Sequence, residues 1–440
     1  MKYLYSLLLL LPLPFLSAQL LGSQSPLRLH QPASPDNTTE ARLTTALTTW
    51  QTTFFNTTVG TWPTAIDWTS AFLGTLLAAT TRTHPSHLPS LLSFFHGQNA
   101  ASLREQAFDD ILWVVLNWLE ALDTLHALPP TPETQKYEQL FTARALEFYT
   151  LAETGWDVSL CGGGMIWSPW LEPYKNAITN ELYISASMRM YEVFPRNESY
   201  LHAAQTAYSW LQESRMQKVS GLWADGYHVS GLDTGGKVCD ILDEQVYTYN
   251  QGVLLTGLRG LYDVTGDPRY LRDGVALVEA TIRKGSELER DGVLTERCDP
   301  GGYCSQNGHM FKGIWMHHLV RFCGGEGVKV ECARWGAFVR MNAGRAWETR
   351  NLKGVGGSWW GAPAGKEVAE LDVKGLEMGE VDRENACATP DWRVCEMAQR
   401  PEGWKKGDLN DRGRGRTVES HAGLVAALRA AVEIGNEVSG

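Results

Sequence analysis

The pattern of apolar and polar residues from position 40 onward follows the period of an α-helix rather than that of a β-strand. Apolar residues recur at i, i+3, i+4 and i+7, which places them on one face of a helix. The predicted helices span residues 40–56, 65–83, 104–127, 134–154, 177–194, 198–217, 245–264, 268–284, 306–322, 328–348 and 417–435. Extended structure is predicted only for short pieces near 164–167, 222–229 and 293–297. The pattern therefore predicts an all-α protein.

The succession of helices and short loops indicates a ring of helix hairpins with an inner and an outer layer. No repeat of fixed length is present, so a solenoid of similar repeats is not indicated. Residues 349–416 differ from the rest, because they are rich in Gly, Lys, Arg and Glu. We interpret them as a long irregular insertion before the last helix of a single domain that covers residues 40–435.

One predicted helix is apolar on nearly every face. It contains the segment FDDILWVVLNWL, which begins at Phe108, and a helix that is hydrophobic all round is buried. The segment is shorter than the ~20 residues that a bilayer requires. It is therefore predicted to be an inner helix, with the neighbouring carboxylates of Asp109 and Asp110 at its start.

This acidic pair has two interpretations. Acids at the start of a helix can cap backbone N–H groups and complement the helix dipole. Alternatively, two carboxylates in different environments can act as nucleophile and general acid. Retaining glycosidases hold such groups ~5–5.5 Å apart, close to the separation that neighbours at a helix start can reach. The pair alone leaves both interpretations open.

Other polar segments stand at the starts of predicted helices or beside glycine-rich turns. They contribute the candidate substrate-binding residues Gly163, Gly164, Trp167, Lys175, Asn176, Asn180, Glu181, Asp225, Tyr249, Gln251 and Lys312. The glycines permit close approach of backbone to a ligand, and the amide and carboxylate groups suit sugar hydroxyls. Each segment could also be a simple turn or cap. In a ring of hairpins, such helix starts would meet at one end and line a cleft.

Composition narrows the possible ligands. The chain has 17 Trp, 15 Tyr and 13 Phe; most should lie in the core, but surplus aromatic rings near polar groups also suit the apolar faces of sugars. The net charge of −11 and the absence of a basic patch argue against nucleic acid as a partner. The histidines, including His317 and His318, show no trustworthy ligand spacing, and no metal or other cofactor is predicted.

The N-terminal residues have the features of a secretory signal peptide. A lysine at position 2 precedes a leucine-rich stretch, and Ala18 is a plausible cleavage point. We predict a signal peptide over residues 1–18 and a flexible leader over 19–39. Three glycosylation sequons, at Asn37, Asn56 and Asn197, fit export. The sequence ends without a hydrophobic tail, so a lipid anchor is not expected.

The eight cysteines also suit an oxidising compartment. Eight cysteines permit 105 connectivities, so spacing alone does not fix the pairing. Bridges between near neighbours are favoured, and Cys161 and Cys239 then pair by elimination. The other predicted bridges are Cys298–Cys304, Cys323–Cys332 and Cys387–Cys395. Zinc binding is the alternative, but it requires Cys and His spacings that are not present.

Taken together, several segments resemble glycoside hydrolase family 76, the α-1,6-mannanases and their fungal cell-wall relatives. The resemblance covers roughly residues 40–345 and 417–435 and leaves the insertion unmatched. The matching segments are Phe108-Asp109-Asp110, residues 162–167 with 174–182, Tyr249-Asn250-Gln251-Gly252, Phe311-Lys312-Gly313 and Ser420-His421-Ala422-Gly423-Leu424. The combination of an acidic pair, a glycine triplet and the KNAITNE sequence is specific.

This resemblance implies an (α/α)6 barrel and a retaining mechanism on α-1,6-linked mannose, with Asp109 as nucleophile and Asp110 as general acid/base. The chemistry agrees in part: the helix dipole favours one ionised carboxylate, and like charge raises the pKa of its neighbour. The chemistry alone does not assign which acid has which role.

The leading hypothesis is a freely secreted, monomeric endo-α-1,6-mannanase that acts on mannan or mannooligosaccharides. One alternative is a cell-wall transglycosylase that uses the same acidic pair on α-mannosyl glycans. Another is a carbohydrate-binding or structural wall protein in which the two acids serve only as caps.

Overall fold

The computed structural model describes residues 38–98, 103–232, 235–364 and 408–434. Twelve α-helices occur within these residues. They are α1 (Thr39–Phe54), α2 (Asp67–Thr81), α3 (Leu88–Gly97), α4 (Phe108–Ala127), α5 (Pro132–Ala152), α6 (Ala177–Val193), α7 (Glu198–Glu213), α8 (Thr248–Thr265), α9 (Pro268–Ile282), α10 (Gly308–Cys323), α11 (Lys329–Glu348) and α12 (Val418–Glu433). Short strands are β1 (Tyr174–Asn176), β2 (Gly226–Ser230), β3 (Val238–Asp243), β4 (Glu289–Arg290) and β5 (Val293–Leu294).

The helices form two concentric rings. The even-numbered helices form the inner ring, in which each packs against the next and α12 closes the ring against α2. The odd-numbered helices pack around them as an outer ring. This arrangement is the (α/α)6 barrel that the family resemblance implies, and the all-α prediction is confirmed.

Burial follows the ring to which a helix belongs. Inner helix α10 buries 15 of its 16 residues, whereas outer helix α1 buries only 4 of 16. An inner helix touches neighbours on both sides as well as the outer ring, so it must be apolar on nearly every face. The apolar run that follows Asp109 and Asp110 lies in inner helix α4, as predicted.

Small residues allow the inner helices to pack closely. A Cβ atom added to Gly252 of α8 would lie 2.6 Å from the Cα atom of Trp315 on α10. The Ser185 hydroxyl of α6 donates to the carbonyl of Val253 at 2.8 Å. These contacts fix the relative height of α6, α8 and α10, and therefore the positions of their N-terminal ends.

The strands form two small antiparallel sheets beside the barrel. In the first, β2 lies between β1 and β3, and Asn176 pairs with Gly226. This register brings Asp225, which immediately precedes β2, next to the start of α6. The second sheet pairs β4 with β5. The predicted extended pieces near 222–229 and 293–297 are thus partly correct, whereas residues 164–167 contain only an isolated bridge from Met165 to Trp156.

The eleven predicted helices are all present, with ends that differ by a few residues. The prediction missed α3, whose ten residues provide fewer than three turns of apolar periodicity and include Pro89 near the start. The helix predicted from residue 104 begins instead at Phe108. It begins there because the Phe108 N–H donates to the carbonyl of Trp167 at 2.8 Å, a long-range contact that local periodicity does not reveal.

The structure confirms three of the predicted disulfides, namely Cys161–Cys239, Cys298–Cys304 and Cys323–Cys332. The predicted Cys387–Cys395 bridge, the signal peptide and most of the leader lie outside the described residues.

The predicted insertion is described only at its two ends. Its first end contacts the barrel, because the Gly356 N–H donates to His421 of α12 at 3.0 Å. The two ends also contact each other, because the Trp359 N–H donates to Asn410 at 2.8 Å. Over the described ranges, every helix is too short or too polar to cross a bilayer.

We predict that Gly252→Ala lowers the free energy of unfolding by about 1–3 kcal/mol, because the new methyl group would collide with the backbone of α10. Urea denaturation followed by circular dichroism measures the effect. The matched control is Gly344→Ala on outer helix α11, where an added Cβ meets nothing within 4 Å. The control should stabilise by about 0.5–1 kcal/mol through helix propensity. Equal effects at the two positions would contradict the packing argument.

Candidate active site

A cleft of about 590 Å³ opens at one end of the barrel. Its lining includes residues from the N-terminal ends of five inner helices. These are Trp68 of α2, Asp109 and Asp110 of α4, Asn176 at the N-cap of α6, Tyr249 of α8, and Gly308 of α10. Helix N-termini expose backbone N–H groups and carry partial positive charge, so this end of the barrel suits carboxylates and ligand oxygens.

The Asp109 carboxylate is held by two hydrogen bonds. The indole N–H of Trp167 donates to Oδ2 at 3.1 Å, and the backbone N–H of Asp110 donates to Oδ1 at 3.0 Å. The N-cap of α4 is Ala107, which provides no side-chain cap. Asp109 is therefore fixed toward Trp167 in the cleft rather than in the usual capping geometry.

The two acids of the pair have different electrostatic environments. Burial raises the pKa of Asp109 to about 7, although the hydrogen bonds from Asp110 and Trp167 act in the opposite direction. Burial, the neighbouring charge of Asp109 and then that of Asp67 raise the pKa of Asp110 well above its ordinary value. Among the described residues, hydrogen bonds that stabilise the charged form act on Asp109 and not on Asp110. Asp109 therefore ionises first, and Asp110 keeps its proton.

A third carboxylate, Asp225, lies across the cleft. It accepts hydrogen bonds from the Tyr174 hydroxyl at 2.6 Å and from the Asn250 amide at 3.2 Å. Its backbone carbonyl accepts from the N–H of Ala177 at 2.7 Å, which ties it to the start of α6. Burial raises the pKa of Asp225 to about 6.

Pairs of aromatic rings line the cleft. Tyr249 stacks on Phe311 with ring centroids 4.0 Å apart, and Tyr174 stacks on His228 at 4.2 Å. Trp68 also stacks on the Trp113 indole of α4, with ring centroids 5.6 Å apart. Stacked pairs hold one another in place, so these rings offer fixed apolar surfaces beside the carboxylates.

Glu296 and Lys312 belong to a buried ionic cluster at one side of the cleft. Lys312 forms an ion pair with Asp299 at 2.5 Å, and Asp299 also accepts from the Glu296 N–H at 2.7 Å. Glu296 itself lines the cleft, and burial raises its pKa to about 7. Lys312 therefore supports the cleft wall from behind.

Several predicted binding residues hold the loop that carries Trp167. A Cβ atom on Gly164 would lie 2.6 Å from the Trp210 ring, and Gly164 has a φ of +87°, so both space and conformation favour glycine there. Gly163 also has positive φ, at +133°. The Lys175 ammonium donates to the Gly164 carbonyl at 2.6 Å, and Asn180 Oδ1 accepts from the Met165 N–H at 2.8 Å.

Two other predicted binding residues are buried between helices. Gln251 accepts from the Trp223 N–H at 2.8 Å and donates to the Trp223 carbonyl at 3.0 Å. Glu181 is fully buried, and neither of its carboxylate oxygens has a hydrogen-bond partner among the described residues. Burial raises the pKa of Glu181 well above its ordinary value, which favours its neutral form.

Of the residues predicted from sequence, the structure brings together in the cleft Asp109, Asp110, Trp167, Asn176, Asp225 and Tyr249. Gly163, Gly164, Lys175, Asn180, Glu181, Gln251 and Lys312 do not line it. The lining residues that the prediction omitted include Trp68, Trp113, Tyr174, His228, Asp243, Tyr247, Glu296, Arg297, Tyr303, Asn307 and Phe311. Tyr174 and Phe311 stand within segments that carry the family resemblance, whereas Trp68 has no local signal that separates it from core tryptophans.

Within the described residues, no group of three or more His, Cys, Asp or Glu side chains is arranged to hold a metal ion.

Comparison with known proteins gives a consistent result. The sequence profile of Glycosyl hydrolase family 76 matches residues 35–350. A mannan endo-1,6-alpha-mannosidase of Candida glabrata is 25% identical over 195 residues, which cover 43% of this chain and 41% of the relative. A mannan endo-1,6-alpha-mannosidase of Eremothecium gossypii is 25% identical over 264 residues, covering 56% of this chain and 55% of the relative. The chain thus spans about half the length, or less, of these relatives.

Solved structures share the fold. The GH76A alpha-1,6-mannanase from a Salegentibacter species superposes with a TM-score of 0.67 at 18% identity, covering 90% of this chain and 100% of that one. Dfg5 from Chaetomium thermophilum, solved with glucosamine, superposes with a TM-score of 0.64 at 17% identity, covering 91% and 92% of the two chains. The profile match extends over most of the sequence, and the chain therefore belongs to glycosyl hydrolase family 76.

Proposed function

We propose that this protein is an endo-α-1,6-mannanase that cleaves mannan by a retaining mechanism, with Asp109 as nucleophile and Asp110 as general acid/base. The observation that carries the proposal is the adjacent acidic pair, which lies in an aromatic cleft and has unequal electrostatic environments. The relatives named as mannan endo-1,6-alpha-mannosidases support the substrate class. An inactive variant of the Salegentibacter enzyme was solved with α-1,6-mannotetrose, which is further support.

In the first step, the ionised Asp109 attacks the anomeric carbon while Asp110 gives its proton to the glycosidic oxygen. The bond from the anomeric carbon to that oxygen breaks, and a covalent mannosyl-enzyme forms. The hydrogen bond from Trp167 holds the Asp109 carboxylate in one orientation. The high pKa of Asp110 keeps it protonated, as a general acid must be.

In the second step, Asp110 changes from general acid to general base. Asp110, now ionised, takes a proton from a water molecule that attacks the anomeric carbon, and Asp109 leaves as a carboxylate. Formation of the covalent ester removes the negative charge of Asp109, which lowers the pKa of Asp110 and allows it to remain ionised, as a general base must be. Two inversions at the same carbon leave the product with the α configuration of the substrate.

The remaining cleft residues would bind the sugar. Asp225 is fixed by Tyr174 and Asn250, so its oxygens can accept from sugar hydroxyls without reorganisation. The stacked pair of Tyr249 and Phe311 offers an apolar surface for a pyranose ring. The neighbouring residues Gly163, Gly164, Lys175, Asn180 and Gln251 would act indirectly, by holding the backbone around these groups. Lys312 would act through its ion pair with Asp299.

We also propose that the protein is secreted. The signal-like N-terminus and the three disulfides of the described residues support export. The sequon asparagines Asn56 and Asn197 are both exposed, as glycosylation requires. Mass spectrometry of the protein from culture supernatant tests both points, and retention of residues 1–18 would contradict the proposed signal peptide.

Product analysis tests the proposed reaction. Incubation with a linear α-1,6-mannooligosaccharide should give shorter oligosaccharides whose new reducing ends are initially α, as followed by proton NMR. An initial β product would exclude retention. Products longer than the substrate would show that a sugar hydroxyl replaces water as acceptor, and the enzyme would then be a transglycosylase.

We predict that Asp109→Asn and Asp110→Asn each lower kcat/KM on mannooligosaccharide by about 10²–10⁴-fold. The two variants should behave differently on an aryl α-mannoside whose phenol is acidic enough to leave without being protonated. Asp110→Asn should still release one equivalent of phenol in a burst, because its nucleophile is intact, whereas Asp109→Asn should release none.

The control for these variants is Asp263→Asn. Asp263 lies in the last turn of α8 with its side chain half exposed, at the opposite end of the helix from the cleft. The Asp263→Asn variant should retain wild-type activity. Full activity in a folded Asp109→Asn or Asp110→Asn protein would refute the proposed roles and favour caps instead.

A further prediction concerns pH. Activity requires ionised Asp109, so it should rise with pH through the pKa of Asp109, near 7, and fall again where Asp110 loses its proton. Trp167→Phe keeps the ring but removes the N–H donor that stabilises the charged form of Asp109. The rising limb of kcat/KM should therefore move to higher pH, by about one pH unit.

Trp210→Phe is the matched control, because the Trp210 indole donates to the Cys161 carbonyl at 2.9 Å and not to a cleft carboxylate. Its pH profile should coincide with that of the wild type. A shift of the rising limb to lower pH in Trp167→Phe, or the same shift in both variants, would contradict the assigned role of the hydrogen bond.

A further inference from the structure

Trp170 is a large apolar side chain that the fold leaves exposed. Its relative exposure is 73%, although burying a ring of this size would be strongly favourable. The neighbouring Leu171 is 57% exposed. Exposed apolar residues that stand together are a common feature of interaction sites.

Although exposed, Trp170 is held in place. Its indole N–H donates to the Glu105 carbonyl at 3.0 Å, and its backbone N–H donates to the Ser168 hydroxyl oxygen at 3.2 Å. One edge of the ring is therefore tied to the segment that leads into α4, while the ring remains largely open to solvent. A fixed ring loses little entropy when a ligand stacks on it.

The loop that carries Trp170 is attached to the cleft at both ends. At one end Trp167 bonds Asp109, and at the other Tyr174 bonds Asp225. Between them, Leu171 and Glu172 line the cleft itself. The exposed ring is thus continuous with the cleft rather than a separate patch.

The charges of the cleft restrict what can lie there. Six carboxylates line it, against the single arginine Arg297. These carboxylates are Asp109, Asp110, Glu172, Asp225, Asp243 and Glu296. Those of the six that are ionised repel anionic glycans, whereas the carboxyl oxygens accept hydrogen bonds from neutral sugar hydroxyls. An aromatic face beside an acceptor such as Glu172 therefore matches a neutral pyranose.

We propose that Trp170, with Leu171 and Glu172, forms an outer subsite that stacks on a neutral sugar unit of a chain extending beyond the cleft. The inference rests on the proposed function and adds a preference for long, uncharged chains. It places no residue of this outer subsite in the catalytic step.

Kinetics on two substrates test the outer subsite, namely linear debranched α-1,6-mannan and the shortest α-1,6-mannooligosaccharide that the wild type cleaves. Trp170→Ala should raise KM for the polymer by about tenfold and leave kcat and KM for the short substrate unchanged. Trp170→Phe, which retains an aromatic face, should stay within about threefold of the wild type on the polymer. The control is Val219→Ala, since Val219 is fully exposed and does not line the cleft.

An unchanged KM of Trp170→Ala for the polymer would overturn the proposal. So would an equal loss on both substrates, which would indicate a structural role, or a Phe variant as impaired as the Ala variant. If the wild type cleaves no α-1,6-mannan of any length, the proposed function itself fails. Affinity electrophoresis in gels containing mannan then tests the subsite separately, because retardation of the wild type but not of Trp170→Ala requires no catalysis.

Discussion

Two hydrogen bonds between Trp167 and the start of α4 organise the site. The Trp167 carbonyl accepts from the Phe108 N–H and fixes where the helix begins, and the indole N–H of the same residue holds Asp109. One residue thus sets both the first turn of the helix and the orientation of its carboxylate. Because Trp167 lies in a loop, its own position must be imposed by other groups, and the buried ammonium of Lys175 and amide of Asn180 provide this support through backbone contacts.

The concentration of acids in one cleft is tolerable because of where the barrel places them. Inner helices that begin at the same end bring several sets of unpaired N–H groups and several dipoles to one opening. These partial positive charges offset some of the repulsion between carboxylates. Burial remains the larger effect, since the pKa values of Asp109, Asp110, Asp225 and Glu296 are all raised. A site of this kind keeps some carboxyl groups protonated near neutral pH, which acid catalysis needs.

The sequence was sufficient to predict the barrel because inner and outer helices bury such different fractions of their surfaces. Long helices with continuous burial, such as α4 and α10, have an unmistakable apolar pattern. The short α3 does not, and it was missed. Polar helix starts were also recognised correctly as the end of the barrel that forms a cleft. What the sequence did not reveal was which polar side chains enter the cleft and which turn toward backbone behind it.

Side-chain direction explains that division. Residues of a strand point alternately to opposite sides, and in β1 the side chains of Tyr174 and Asn176 line the cleft whereas Lys175 between them reaches behind it. In a helix, residues that are two positions apart differ by about 200° around the axis. Tyr249 therefore lines the cleft, whereas Gln251 faces Trp223. Asp109 and Asp110 are about 100° apart and both reach the opening. Adjacency at a helix start, unlike adjacency on a strand, therefore allows two neighbouring carboxylates to share one cleft.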